Sequence, residues 1–192
     1  MVRILHGLAA IVLLLSSAPM EAVEAPGKWS ARSAVALVKE LKVESGWKVV
    51  GVTGFFARSK ATQWLVLLTR DDRYEEFAVT KDGIRSSRSL LRPPAEDWPS
   101  LPLLLDKVEV DSDQLSGILS LQLGSVWQEV ENYHCQLRVS QSGEGPTWIV
   151  RLHSRKQIPI ATARISARSG DLVRMEIDPG FRSSRQSKVD GS

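Results

Sequence analysis

Residues 161–170 read ATARISARSG, and the alternation in that stretch decides the fold. Ala161, Ala163, Ile165 and Ala167 share one parity; Thr162, Arg164, Ser166 and Arg168 share the other. Successive side chains on a strand point to opposite faces, so the small apolar set faces a core and the polar, basic set faces water. Antiparallel sheets commonly have this arrangement, with one face packed and one solvated. Three alanines on the packed face imply that a helix lies close over it. Ser169-Gly170-Asp171 then turns the chain into a second alternating strand, 172–177. Arg151 and Arg174 have the same wet parity as Arg164 and Arg168, so strands in register would gather four arginines on one face.

The rest of the chain supplies the helix and the other strands. Residues 111–124 carry Leu115, Ile118, Leu119 and Gln122 or Leu123 on one helical face, with Asp111 or Ser112 as cap and Gly124 as stop. Residues 133–140 (YHCQLRVS) and 147–153 (TWIVRLH) read as strands. The first half shows the same order. A helix starts at Ser30 with Ala34, Leu37, Val38 and Leu41 on one face. Strands follow at 46–56, 63–69 and 74–80, with a turn at Lys81-Asp82-Gly83 and a short fourth strand at 84–87. Trp64-Leu65-Val66 can be laid over Trp148-Ile149-Val150. The expectation is an α+β fold of tandem helix-on-antiparallel-sheet units. The first spans 28–90 and the second 109–178. A linker, 91–108, has four prolines within residues 91–102. Proline lacks the N–H that helices and central strands use. Residues 179–192 are polar and Gly/Ser-rich, the composition of a disordered tail.

Both ends and the cysteine count bear on where the chain acts. Arg3, the apolar run 8–15 (LAAIVLLL) and the small residues after it have the layout of a secretory signal, taken as 1–25. The run is too short to span a bilayer as an ordinary helix. The chain is therefore expected to be exported, periplasmic or extracellular, with the segment either removed or kept as an anchor. The single cysteine, Cys135, permits no internal disulfide, and its strand parity makes it a small core residue. The net charge is +3, but residues 151–188 hold nine basic to three acidic side chains, leaving −3 for the remainder. A basic face attracts anionic partners such as lipid, cell-wall polymer or an acidic protein. Nucleic acid is not expected, because the aromatics are not interleaved with these charges.

The common catalytic and nucleotide-binding motifs are absent: there is no G-x-S-x-G, H-E-x-x-H, C-x-x-C, Walker loop or G-x-G-x-x-G. No catalytic, cofactor or metal site is expected, and the chain reads as a non-enzyme. His134 and His153 look outward from two strands, 19 residues apart, and are read as ordinary surface histidines. Asp71-Asp72 reads as a turn and Asp111-x-Asp113 as a helix start. The expected partner-binding residues are Arg151, Arg164, Arg168, Arg174 and Trp98, the last an exposed anchor in the linker.

Residues 147–152 (TWIVRL), the turn at Arg155-Lys156 and residues 161–172 (ATARISARSGDL) together resemble a PepSY or PepSY-like domain. Residues 34–84 resemble it more weakly, with Lys81-Asp82-Gly83-Ile84 at the matching turn. The resemblance implies a small exported bacterial α+β module associated with keeping proteases in check. The tandem architecture also compares with secreted β-lactamase inhibitor proteins, in architecture alone. Two functions follow as expectations. One is a binding or inhibitory module acting on an envelope or secreted protein, with proteases among the candidates. The other is an envelope-associated accessory protein whose basic sheet face binds anionic polymer or lipid.

Overall fold

The structure is a computed structural model that describes residues 29–42, 46–57, 60–91, 99, 101–139 and 145–182. The expected signal segment, Trp98, most of the Pro-rich stretch and the tail beyond 182 lie outside the described residues. The described residues form a mixed α+β fold with two α-helices and one eight-stranded antiparallel sheet.

Helix α1 spans Ala31–Lys42 and buries Ala31, Ala34, Val35 and Val38. This corrects the expected face. Leu37 is only partly buried and Leu41 is 52% exposed. The buried stripe runs along the smaller residues at i, i+3, i+4 and i+7, so the helix sits close to the strands beneath it. Four strands follow: β1 (Lys48–Ala57), β2 (Lys60–Arg70), β3 (Arg73–Thr80) and β4 (Gly83–Leu90). The β2–β3 turn places Asp71 and Asp72 at φ of 50° and 59°. Such left-handed values are tolerated by Asp better than by most residues and suit a tight hairpin.

Helix α2 spans Ser112–Leu123 and has a complete capping box. Asp111 takes the cap position, and its backbone N–H donates to Gln114 Oε1 at 2.9 Å. Leu115, Leu119 and Leu123 are buried. Residues Gly124–Glu129 form a 3-10 turn. Strands β5 (Asn132–Val139), β6 (Pro146–His153), β7 (Pro159–Ser166) and β8 (Leu172–Ile177) complete the sheet.

The spatial order is β4-β3-β2-β1-β5-β6-β7-β8. The first strand of each half lies at the centre, where Gly51–Ala57 pair antiparallel with Asn132–Arg138. Both halves therefore share one sheet. One buried cluster takes in Val35 and Val38 of α1, Leu115 and Leu119 of α2, and Trp64 and Trp148 of the sheet. The two helix starts touch: the Ala31 N–H donates to Ser112 Oγ at 3.0 Å.

Two stretches pack more than their composition suggests. In the region read as linker, Leu103 and Val108 are buried, and the Leu103 N–H donates to the Val49 carbonyl at 2.7 Å. In the region read as disordered tail, residues 179–182 form a helical turn. Its Phe181 is 6% exposed and belongs to the core. One large apolar side chain is enough to dock a polar segment when a hydrophobic site is open to it.

Strand β7 and the turn after it follow the alternation expected of residues 161–168. Ala161, Ala163, Ile165 and Ala167 are buried, whereas Arg164 and Arg168 are exposed. Among the described residues, no helix is long and apolar enough to cross a membrane.

Candidate functional site

The helices contribute to the core on one side of the sheet; the opposite side is polar along β5, β6 and β7 apart from Ile149, whereas toward β2 and β3 it carries a second buried cluster of Val50, Leu67 and Tyr74. Directly paired residues in neighbouring strands point to the same side. Register therefore lines up Phe55, His134, Arg151, Thr162 and Glu176 across β1, β5, β6, β7 and β8. The adjacent row is Thr53, Gln136, Ile149, Arg164 and Arg174.

Three of the expected basic residues thus share the open side. Arg164 is the direct cross-strand partner of Arg174, and Arg151 lies in the next row. Like charges set directly opposite repel. Glu176 relieves part of this by pairing with Arg174. Arg151 and Arg164 are exposed and have no ion pair among the described residues. Arg168 is exposed in the turn after β7, beyond the paired strands. Trp98 lies outside the described residues.

A depression of about 390 Å³ opens beside this row, where β1, β2, β5 and β6 reach the same end of the sheet. Phe55, Thr62, Asn132, His134, His153 and Gln157 are among its lining residues, and none of its lining residues is an acid. The imidazoles of His134 and His153 lie 5.2 Å apart between centroids, inclined by 30°. The Phe55 ring is 6.2 Å from that of His134. The two histidines are diagonal neighbours, since His134 pairs with Arg151 and His153 pairs with Asn132. Partial burial lowers the His134 pKa below its ordinary value, and the neighbouring His153 and Arg151 lower it further. His134 is thus held toward its neutral form. Gln157, at φ 61°, is presented by the β6–β7 turn.

Sequence reasoning missed this grouping. It placed both histidines on outward parity, as the structure does, but expected nothing of them together. Phe55, Asn132 and Gln157 carried no signal of their own, apart from an aromatic at outward parity in β1. Among the described residues, no group of three or more His, Cys, Asp or Glu side chains could hold a metal ion. Cys135 pairs with Gly54 and is fully buried. Burial raises its thiol pKa, so it has none of the thiolate character a nucleophile needs.

No protein-family model matches the chain, and no curated protein matches it. Among solved structures, the chain is similar to one described as a "putative lipoprotein (CD1622) from Clostridium difficile 630". The TM-score is 0.57 at 12% identity, over 79% of this chain and 94% of that one. At that identity the likeness is one of fold.

Proposed function

We propose that this chain is an exported, non-catalytic binding module of the cell envelope, and that the open side of its sheet is the binding surface. The observation that carries the reading is the arrangement of Arg151, Arg164 and Arg174. They are gathered on the side away from the helices, and the first two have no described ion-pair partner. Solvated arginines set close together raise the local positive potential and favour an acidic partner. The partner proposed first is an envelope or secreted protein, with a peptidase among the candidates. The fold-level likeness to a protein described as a lipoprotein supports an envelope setting. Kinship with PepSY-like modules, and descent of the two halves from one unit, belong to the same proposal. They are supported by the repeated order of one helix and four strands, and by Trp64 and Trp148, each fully buried in the second strand of its half.

A second reading is binding of anionic polymer or lipid, favoured by the direct opposition of Arg164 and Arg174. The nature of the captured partner separates the two, and salt measures the electrostatic share of either, because exposed charges more than about 10 Å apart are largely screened at 0.1 M ionic strength. The purified protein would be used to capture partners from envelope and culture fractions at low and high salt, beside an Arg151→Glu/Arg164→Glu variant. Specific capture of a protein that the double substitution weakens supports the first reading, whether or not salt reduces it. Capture of polymer or anionic vesicles that salt abolishes supports the second. Capture unchanged by the double substitution would remove the open side as the binding surface.

A further inference from the structure

We propose that the depression at Phe55, His134 and His153 is a binding site for a carboxylate attached to an apolar body, such as an aromatic or branched organic acid or the C-terminus of a peptide. The inference goes beyond the function proposed above and shares with it only the open side of the sheet.

Size and shape come first. The depression holds about 390 Å³, within the range of roughly 300–1,000 Å³ typical of small-molecule sites. Its apolar wall is Phe55, an aromatic ring 38% exposed on one of the two central strands. Phe55 gains by covering, since burial of an aromatic side chain is a major source of binding energy.

The polar lining selects the charge. Asn132 and Gln157 carry amide donors, and each neutral imidazole carries one N–H. None of these four side chains has a hydrogen-bond partner among the described residues. The Thr62 hydroxyl is already committed, donating to the Phe55 carbonyl at 3.0 Å. The lining has no Asp or Glu, so nothing in it neutralises a cation. Arg151, paired with His134, adds a positive charge at the rim. A metal ion there would be repelled by Arg151 and would lack an acidic ligand. A carboxylate would find donors, an adjacent cation and no competing anion, and charge-assisted hydrogen bonds of this kind are the strong ones.

The site should also bind in a pH-dependent way. Facing His134 are Phe55 from β1 and Arg151 and His153 from β6, so its charged neighbours are all cationic or can become so. A carboxylate placed among them favours the imidazolium. Binding should tighten as pH falls toward 5, and the bound acid should raise the His134 pKa.

The test is a proton NMR titration of the purified protein, following the His134 and His153 ring resonances. The probes are benzoate, N-acetyl-phenylalanine, N-acetyl-phenylalanine amide, a tetrapeptide ending in phenylalanine, and zinc ion alone. The free acids should shift both imidazoles and raise the apparent pKa of His134, and the amide should bind about tenfold or more weakly, as expected for loss of a charge-assisted contact. Phe55→Ala and His134→Gln/His153→Gln should weaken acid binding to a similar degree, read for both variants from line broadening of the probe's own resonances, with folding checked by circular dichroism. Benzoate binding without the tetrapeptide identifies a small organic acid as the ligand; tetrapeptide binding without benzoate identifies a peptide C-terminus. Equal binding of acid and amide, a response to zinc alone, or no shift of either imidazole in the wild-type protein would overturn the proposal. The envelope-capture experiment is independent. Capture without acid binding removes this site and leaves the other reading standing, and acid binding without capture does the reverse.

Discussion

The indole ring of Trp64 lies across the bare backbone of Gly54, its cross-strand partner in β1. A Cβ at Gly54 would sit 2.7 Å from Trp64 Cε3 and nearer still to two other ring carbons. Trp64 is fully buried and cannot move aside freely. Gly54→Ala should therefore destabilise the protein by about 1–3 kcal/mol, the usual cost of overpacking. Urea unfolding followed by tryptophan fluorescence measures this. An unchanged midpoint would show that the ring has room to shift.

Ser112 joins the two helices at their starts. Its hydroxyl accepts from the Ala31 N–H at 3.0 Å, and both residues are buried. Ser112→Ala leaves a buried donor without a partner, which costs about 1–3 kcal/mol. The same denaturation measurement applies, and the loss should appear as a single transition because both helices share one core.

Ala163 and Arg164 should respond oppositely. Ala163 is fully buried and Arg164 is exposed. Ala163→Leu should cost about 1–3 kcal/mol by overpacking. Arg164→Glu should change stability by no more than about 0.5 kcal/mol, as ordinary surface changes do, while weakening capture of any anionic partner. Paired denaturation and capture assays separate the two effects.

Phe181 tests the docked end of the chain. It is 6% exposed, within a stretch otherwise polar. Phe181→Ala should cost up to about 3–5 kcal/mol if the site cannot collapse. A negligible loss would show that the turn at 179–182 adds little to the core.

His134 gives stability a pH dependence of defined sign. Its folded-state pKa is lowered, by burial first and by His153 and Arg151 next. The unfolded chain therefore binds more protons than the folded one just below the ordinary histidine pKa of about 6.5. That contribution is fully present above the unfolded value and is lost as pH falls through the lowered folded value. Urea midpoints between pH 7.5 and 5 should decline, and His134→Gln should flatten the decline.

Which face most strand residues take was legible from the sequence alone. Alternation has a period of two and is written locally, so ATARISARSG could be assigned to core and solvent without knowing any neighbour. The same reasoning placed Arg151, Arg164 and Arg174 on the wet parity, and His134 and His153 with them. It read Asp111 or Ser112 as a helix cap because capping is settled within one turn of chain. Which strands are neighbours emerges only in the folded chain. The pairing of Gly51–Ala57 with Asn132–Arg138 joins the two halves into one sheet, and it depends on contacts about 80 residues apart that no local pattern encodes. That pairing sets Phe55 beside His134, and the β5–β6 register sets His134 beside His153. The helix faces divided in the same way. Leu115 and Leu119 were legible from their spacing, and the structure chose Leu123 over Gln122, whereas Leu41 lost its expected place to Val35 because the approach of α1 to the sheet, and not hydrophobicity alone, chose the buried stripe. Faces are local properties of a strand or helix, while neighbours are properties of the whole chain, and the candidate site is made of neighbours.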